Sequence, residues 1–246
     1  LSAQNDRPLS MRIAPELYLK RLLVGGFDRV FEMGKQFRDE GIDATHNPEF
    51  TSCEMYSTFT DLEEMISLLQ ELFLVLAEEF SDSENVLKKP IKRIDLMDEL
   101  QRLTKTVLDP CQPESFMNPK LLERIQETND GVILTPARVF DKLVGLLIEP
   151  HCQEPTLLYG PPLFTSPLAR ECSQRPGIAD RFEIFVHGRE LVNAYGELND
   201  PEEQMNRFRA QQADNSSEIP EADEDFVEAL RAGMPPTTGC GIGIDR

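Results

Sequence analysis

The sequence of 246 residues has little positive charge: 25 lysines and arginines stand against 44 aspartates and glutamates, giving a formal net charge of −19 at pH 7. Binding to a phosphate backbone depends on clustered lysine and arginine. The charge imbalance therefore argues against non-specific nucleic-acid binding through this part of the chain. A local basic patch, or a nucleic-acid site on a further domain, is compatible with the same composition.

Long apolar runs are also absent. No run approaches the roughly 18 residues that cross a bilayer, so we expect no transmembrane helix and no membrane partner. The first residues show no basic segment followed by an apolar one, so we expect no signal peptide. The apolar fraction of 40% and the charged fraction of 28% are typical of a soluble globular protein with one large domain, or at most two small ones.

Histidine and paired cysteine are scarce too. The three histidines are scattered, and the five cysteines form no C-x-x-C pair. This spacing makes a Cys/His zinc site improbable. The odd number of cysteines favours buried free thiols in a reducing compartment over a disulfide framework.

Apolar periodicity predicts an α+β fold. Residues 14–26 have a helical apolar face formed by Leu17, Leu19, Leu22 and Leu23, and Thr60 and Glu63 have the spacing of a capping box before a helix that runs to residue 80. Further helical patterns occur at 95–103, 119–127, 136–149, from 201 onward and at 224–233; strand patterns occur at 29–38, 49–56, 156–160, within 181–200 and at the glycine-rich end. We therefore predict an antiparallel β-sheet of five or more strands flanked by helices.

The segment FRDEGIDATHNPEFTSCEMY, residues 37–56, reads as the tip and return strand of a hairpin. Strand alternation places Phe50, Ser52, Glu54 and Tyr56 on one face, and Arg38 lies on the other arm. A buried core face would not carry unpaired charge. The face is therefore either solvated or a surface that binds a charged substrate, and the residues alone leave both alternatives open.

A second hairpin, within residues 181–200, shows a similar pattern around a turn at His187-Gly188. Asn193, Tyr195 and Glu197 alternate onto one face, while strict alternation puts Glu190 on the other. A shared site therefore requires a β-bulge. Carboxylates on rigid strands can hold Mg²⁺ together with substrate phosphates; the alternative is again a polar sheet face.

Three separated segments together resemble the class II aminoacyl-tRNA synthetases, and within them the lysyl-tRNA synthetase family. The family's motif 2 is similar to FRDEGIDATHNPEFTSCEMY (37–56), its motif 3 to GCGIGIDR (239–246), and its lysine-type segments to MRIAPELYLKRLLVGGFDRVFEMGKQFR (11–38) and ELVNAYGELNDP (190–201). The resemblance implies a class II catalytic domain over residues 1–246 that carries motifs 2 and 3 but neither motif 1 nor the N-terminal anticodon-binding domain. We expect the chain to continue past both ends. Cys240 departs from the bulky residue, often tryptophan, that the family has there.

The activity that this resemblance implies is ATP-dependent activation of L-lysine to lysyl-adenylate, followed by transfer to the 3′ end of tRNA(Lys). It implies a homodimer located in the cytoplasm, with the mitochondrial matrix as the alternative. Two other functions stay open: a paralogue that passes lysine to a non-tRNA acceptor, and a non-catalytic binding protein with the same fold.

The resemblance also implies the roles of individual residues. Arg38 and Arg246 would be the catalytic residues, and Glu183 and Glu190 would hold Mg²⁺. The lysine-binding residues would be Glu16, Arg38, Glu54, Tyr56, Asn193, Tyr195 and Glu197. The ATP-binding residues would be Arg38, Glu40, His46, Asn47, Phe50, Glu190, Leu191, Gly243, Asp245 and Arg246.

Overall fold

A computed structural model of the chain describes residues 10–39, 41–43, 45–80, 91–125, 133–213 and 223–246. The helices in these ranges are α1 (Glu16–Val24), α2 (Leu62–Phe80), α3 (Leu96–Thr104), α4 (Pro119–Ile125), α5 (Pro136–Leu147), α6 (Pro201–Ala213) and α7 (Glu224–Arg231). The strands are β1 (Arg29–Phe37), β2 (Glu49–Thr58), β3 (Lys92–Asp95), β4 (Thr156–Tyr159), β5 (Arg181–Val186), β6 (Arg189–Gly196) and β7 (Thr237–Gly243). None of these helices is both long enough and apolar enough to cross a membrane.

The described strands form one sheet in the order β1-β2-β7-β6-β5-β4-β3. Five of its strand pairs are antiparallel, and only the pair of β3 and β4 is parallel. The predicted α+β class, with a largely antiparallel sheet and flanking helices, is confirmed. The edge strand β3 escaped prediction because its four residues, KRID, show no alternation of apolar and polar side chains.

One face of the sheet forms the apolar core. The register aligns a row of apolar side chains across five strands: Cys53, Ile242, Val192, Ile184 and Leu157. Helix α2 covers this row with Met65, Ile66 and Leu69. Two further apolar clusters lie around α3, α4 and α5, and between α1 and α7. Removing these side chains from water stabilises the fold and leaves the opposite sheet face available for polar groups.

The capping box at the start of α2 lies one residue later than predicted. Asp61 Oδ1 accepts a hydrogen bond from the backbone nitrogen of Glu64 at 2.9 Å, and Glu64 Oε2 accepts one from the backbone nitrogen of Asp61 at 3.0 Å. Thr60 instead donates its hydroxyl to Ser57 Oγ at 2.8 Å. The assignment to Thr60 and Glu63 is wrong because the helix begins at Leu62, which makes Asp61 the N-cap.

Helix α1 buries the predicted face except for Leu22, and Leu17 packs against the same apolar cluster as Leu19 and Leu23. Leu19 and Leu23 are buried, at 5% and 1% exposure, but Leu22 is 43% exposed and lies toward solvent. Lys20, between the two buried leucines in sequence, is completely buried. The buried face of α1 could not be predicted from its apolar residues alone, because the helix also buries Lys20 against the polar face of the sheet.

All five cysteines are free, as predicted. Cys152 and Cys240 are buried, and Cys53 and Cys172 are partly buried. The prediction of buried thiols is wrong for Cys111, which is exposed because it lies in the loop after α3. Cys53 packs against the apolar core under α2, so it does not belong to the polar face of its hairpin.

Candidate active site

The polar face of the sheet forms a cavity of about 570 Å³. Strand β7 lies in the middle of its floor, between β2 and β6. Gly239 is paired with Tyr56 and Tyr195 on its two neighbours, and Gly241 is paired with Glu54 and Asn193. Paired residues point to the same face of a sheet. Glycines on the central strand therefore leave a trough, and the larger side chains of β2 and β6 form its walls.

Gly239 allows the closest approach in this trough. A Cβ atom at this position would overlap Glu197 Oε1 and the ring of Tyr56. At Gly241 the nearest neighbour of an added Cβ would be Glu54 Cγ at 3.7 Å, an ordinary van der Waals contact. Gly239 is therefore required by the packing of the site, whereas Gly241 is required less strictly.

A β-bulge brings the second hairpin into the same site. Ile184 pairs with Val192 and Phe185 with Glu190, which leaves Leu191 as the extra residue on β6. Glu190, Leu191 and Asn193 consequently all line the cavity. The predicted bulge is confirmed. The turn before it, at His187 and Gly188, has φ values of 52° and 70°, which suit a tight hairpin turn.

The structure brings together nearly all of the residues singled out from the sequence. The cavity is lined by Glu16, Arg38, His46, Asn47, Phe50, Glu54, Tyr56, Glu190, Leu191, Asn193, Tyr195, Glu197, Gly243, Asp245 and Arg246. Glu183 does not line it, and Glu40 lies outside the described residues. The cavity also contains charged residues that the sequence analysis did not assign, among them Lys35, Asp43 and Arg189.

One end of the cavity, the acidic end, is formed by Glu16, Glu54 and Glu197 with the hydroxyls of Tyr56 and Tyr195. Tyr56 Oη donates to Glu54 Oε2 at 2.8 Å, and Tyr195 Oη donates to Glu16 Oε1 at 2.5 Å. Glu54, Glu197 and Tyr56 are all buried. Burial of an ionised carboxylate costs free energy unless cations or hydrogen-bond donors face it. The acidic end is therefore suited to a ligand that carries positive charge.

Burial and mutual repulsion raise the pKa values of two of these carboxyls. Burial, followed by the neighbouring Glu16, raises the pKa of Glu54 to about 7, although the hydrogen bond from Tyr56 opposes the rise. Burial also raises the pKa of Glu197 to about 8, against the lowering effect of Lys20. Like charges in a site without enough cations favour the neutral acid. A bound ammonium group would reverse this shift.

Lys20 was missed by the sequence analysis. Its Nζ lies 2.6 Å from Glu16 Oε1 and 2.5 Å from Glu197 Oε2. Glutamate four residues before lysine is the usual spacing of a solvent-exposed helical ion pair, so the pattern gave no reason to place Lys20 inside. The available signal was its position between Leu19 and Leu23, the two residues that α1 buries.

The other end of the cavity carries arginines and an aromatic ring. The guanidinium carbon of Arg38 lies 5.1 Å from the centroid of the Phe50 ring, and its Nε donates to the carbonyl of Ile13 at 3.3 Å. Arg246 Nη1 donates to the carbonyl of Glu190 at 2.8 Å. Arginines beside an aromatic ring suit a flat, anionic ligand such as a nucleotide.

The loop between β1 and β2 is ordered by Asp43. Its carboxylate accepts hydrogen bonds from the backbone nitrogens of Thr45 and His46, at 2.6 and 2.7 Å, and lies 2.9 Å from His46 Nδ1. The bond from Thr45, followed by that from the His46 ring, holds the pKa of Asp43 well below its usual range. Asn47 donates to the carbonyl of Glu49 at 2.7 Å. His46 and Asn47 thus face the cavity from a loop with its own hydrogen bonds.

The carboxylates predicted to hold Mg²⁺ lie beside Arg181. This partly buried arginine donates to Glu183, and its Nε donates to Asn193 Oδ1 at 3.0 Å. Burial raises the pKa of Glu190, and the nearby Glu183 adds to the rise. Among the described residues no group of three or more histidine, cysteine, aspartate or glutamate side chains could hold a metal ion. Glu190 lies at the cavity wall, which fits an ion such as Mg²⁺ that takes most of its ligands from substrate phosphates and water, whereas Glu183 is bound by Arg181 and does not line the cavity.

Comparison with known proteins gives a consistent result. The family model described as "tRNA synthetases class II (D, K and N)" matches residues 2–246. The chain is 42% identical to a probable cytoplasmic lysine–tRNA ligase of Vairimorpha ceranae, over 97% of this chain and 51% of that protein. It is 41% identical to the lysine–tRNA ligase of Mycoplasmopsis synoviae and 38% identical to that of Enterococcus faecalis, in each case over 98% of this chain and 50% of the relative. The chain spans about half the length of these curated relatives.

Proposed function

The chain belongs to the class II tRNA synthetases of the D, K and N type, and on this basis we propose that it activates L-lysine with ATP and transfers the lysyl group to the 3′ end of tRNA(Lys). The observation that carries the choice of lysine is the acidic end of the cavity, where Glu16, Glu54 and Glu197 lie beside two tyrosine hydroxyls. Three carboxylates suit an amino acid with two ammonium groups. They would repel the side chain of aspartate.

The acidic end would bind the two ammonium groups of lysine separately. Both carboxylate oxygens of Glu197 are buried without a hydrogen bond among the described residues, but Oε2 lies 2.5 Å from Lys20 Nζ, whereas Oε1 lies over Gly239 beside the ring of Tyr56. Oε1 is therefore the acceptor available to the ε-ammonium. Glu16, which already accepts from Tyr195, would take the α-ammonium with Asn193 beside it. In the proposed complex Glu54, Tyr56 and Tyr195 complete the walls of the pocket.

The arginine end of the cavity would bind ATP. Arg38 would face both the carboxylate of lysine and the α-phosphate, and Phe50, whose ring lies 5.1 Å from the Arg38 guanidinium carbon, would lie under the adenine. Arg246 would cover the other face of the adenine and reach the γ-phosphate. The remaining nucleotide contacts would come from His46, Asn47, Glu190, Leu191, Gly243 and Asp245, all of which line the cavity. Glu40 stays a prediction from the sequence.

The formation of the adenylate needs no general base. The carboxylate of lysine is already ionised, so its oxygen attacks the α-phosphorus while the bond to pyrophosphate breaks. The terminal hydroxyl of tRNA then attacks the carbonyl carbon of the adenylate. AMP leaves with the electron pair of the broken C–O bond, and its phosphate takes the proton of the hydroxyl. The contribution of the protein is to align the two substrates and to stabilise the charge on phosphorus with Arg38 and Arg246.

Glu183 and Glu190 are the residues that would hold Mg²⁺. Support comes from the neighbouring like charges of these two carboxyls and from the position of Glu190 at the cavity wall. When bound, the ion would neutralise phosphate charge. Arg181, which donates to Glu183, would keep that side chain oriented.

We also propose that the complete protein is a homodimer that works in the cytoplasm. The word cytoplasmic occurs in the names of relatives from Vairimorpha ceranae, Enterocytozoon bieneusi and Encephalitozoon cuniculi. Strand β1, at the edge of the sheet, exposes Phe31 (75%) and Met33 (63%), and a second copy would cover such apolar side chains. Sedimentation equilibrium of the complete protein tests the dimer, and a monomer mass at micromolar concentration would contradict it.

Lysine-dependent exchange of pyrophosphate into ATP is the experiment that tests the proposed activity. The complete protein is assayed with each of the amino acids, and exchange is expected with lysine alone. Absence of exchange with lysine would refute the activity, and exchange with aspartate or asparagine would refute the specificity. Charging of purified tRNA(Lys) then separates a tRNA ligase from an enzyme that uses another acceptor.

A further inference from the structure

Lys20 is a completely buried charged side chain, at 0% exposure. Its ammonium contacts Glu16 at 2.6 Å and Glu197 at 2.5 Å, and it lies 5.5 Å from the centroid of the Tyr195 ring. On the other side it lies 6.0 Å from the ring of Phe226, on α7. Burial lowers the pKa of Lys20, but the two carboxylates outweigh that effect and raise it above its ordinary value. Lys20 does not itself line the cavity, so it is a fixed cation behind the carboxylates of the acidic end.

Counting charges at this end gives a definite deficit. In the part of the chain that the structure describes, Glu16, Glu54 and Glu197 contribute three negative charges when ionised, and Lys20 contributes one positive charge. Two positive charges are missing. A lysine ligand supplies two ammonium groups, and its carboxylate faces Arg38. The positive and negative charges at this end therefore balance for a diammonium amino acid. For an amino acid with a single ammonium group, one carboxylate stays unpaired.

We propose that Lys20 is a specificity-determining positioning residue. Its ammonium neutralises one of the three carboxylates of the acidic end and leaves two for the ammonium groups of a diammonium ligand. The inference rests on the proposed function in taking this ligand to be an amino acid. The geometry supports it, because Lys20 contacts Glu197 at Oε2 and leaves Oε1, buried beside Gly239 and Tyr56, without a hydrogen-bond partner among the described residues. Lys20 thus orients the carboxylate that would receive the ε-ammonium.

Removal of this cation has two consequences for binding. Glu197 loses the partner that orients it, and its carboxyl retains a proton more strongly because the nearest positive charge is gone. A protonated carboxyl can accept a hydrogen bond from a neutral group or donate one to it. The site would therefore discriminate less between an ammonium and a hydroxyl. The preference for a diammonium ligand should therefore fall together with the affinity for lysine.

The test measures binding directly, by calorimetry on the complete protein. Lysine is compared with 6-hydroxynorleucine, in which a hydroxyl replaces the ε-ammonium, and ATP is titrated separately. For Lys20→Met we expect the Kd for lysine to rise at least ~10-fold and the preference for lysine over 6-hydroxynorleucine to fall at least ~10-fold. The Kd for ATP should stay within about 2-fold of that of the unaltered protein.

Two further variants distinguish charge from mere packing. Lys20→Arg keeps the cation and should retain the lysine preference within about 3-fold. Lys120→Met, at an exposed position of α4 that does not line the cavity, should change neither Kd nor preference. If Lys20→Met does not fold, Lys20→Gln serves as the neutral variant. In either case, a Lys20→Arg protein that loses the preference for lysine over 6-hydroxynorleucine would overturn the inference.

The remaining outcomes separate this inference from the proposed activity. A Lys20→Met protein that melts at a lower temperature but keeps its lysine preference would show a purely structural lysine and overturn the inference. An unaltered protein that does not prefer lysine over 6-hydroxynorleucine would also overturn it. A protein that prefers lysine through Lys20, but performs no pyrophosphate exchange, would leave the inference standing and refute the activity alone.

Discussion

Replacement of Glu197 by glutamine tests the acidic end most sharply, because the structure gives both the sign and the size of the effect. In the absence of ligand, burial raises the pKa of Glu197 to about 8. An ammonium group is bound by the ionised carboxylate, so lysine affinity should be greatest above pH 8 and be lost as the pH falls. The side-chain ammonium of lysine itself stays protonated throughout this range.

The magnitude follows from the fraction of Glu197 that is ionised. A carboxyl with a pKa of about 8 is about half ionised at pH 8 and about 1% ionised at pH 6, so lysine affinity should rise about 50-fold over this interval. Glu54, with a pKa of about 7, acts in the same direction. Binding at pH 7 should also release about one proton, since Glu197 must ionise to hold the ammonium.

In Glu197→Gln the dependence on this carboxyl disappears. We expect the affinity for lysine at pH 8 to fall by at least ~30-fold, because loss of one partner of a buried charge pair costs about 2 kcal/mol or more. We expect the residual pH dependence to follow Glu54 alone. The assay is calorimetry at pH 6, 7 and 8 in two buffers of different ionisation enthalpy, with ATP binding as the control. A lysine affinity that is flat from pH 6 to 8 in the unaltered protein, without proton release, would refute the reasoning.

Three further predictions follow from single contacts. Gly239→Ala should raise the lysine Kd at least ~10-fold, because the added Cβ overlaps Glu197 and Tyr56, whereas Gly241→Ala should have a smaller effect in the same titration. Asp61→Ala should lower the free energy of unfolding by about 1 kcal/mol through loss of the N-cap, and Thr60→Ala by less, as urea denaturation would show. Phe50→Leu should raise the KM for ATP several-fold, roughly by the loss of one stacking contact, and leave the lysine KM unchanged in pyrophosphate exchange; an unchanged ATP KM would remove Phe50 from the nucleotide site.

Local pattern was a good guide to which face of a strand each side chain occupies. Phe50, Ser52, Glu54 and Tyr56 do share the cavity face of β2, as alternation predicts, and the conflict between Glu190 and Asn193 correctly required a bulge. These features depend on the two-residue period of a strand, which is independent of the rest of the chain. Elements without such a period, such as β3, could not be identified in this way.

The helix ends show where local pattern loses accuracy. Both Thr60 with Glu63 and Asp61 with Glu64 have the spacing of a capping box, and only the position of the first helical residue, Leu62, distinguishes them. The neighbouring strand β7 holds the residue before this N-cap, because Thr238 donates its hydroxyl to the carbonyl of Thr60 at 2.6 Å. The one-residue error therefore reflects a tertiary constraint, because both alternatives are acceptable to the isolated segment.

Local sequence pattern is sufficient to predict the strand faces, the tight turn at His187-Gly188, the need for a bulge and the residue types that resemble a synthetase. The position of β7 between β2 and β6, which pairs Gly239 with both Tyr56 and Tyr195, depends on the assembled sheet. The burial of the Lys20 side chain likewise depends on the tertiary structure. Alternation and helical period are local properties, whereas the neighbours of a buried charge come from segments far apart in the chain: Glu197 lies 177 residues after Lys20 and yet contacts its ammonium at 2.5 Å.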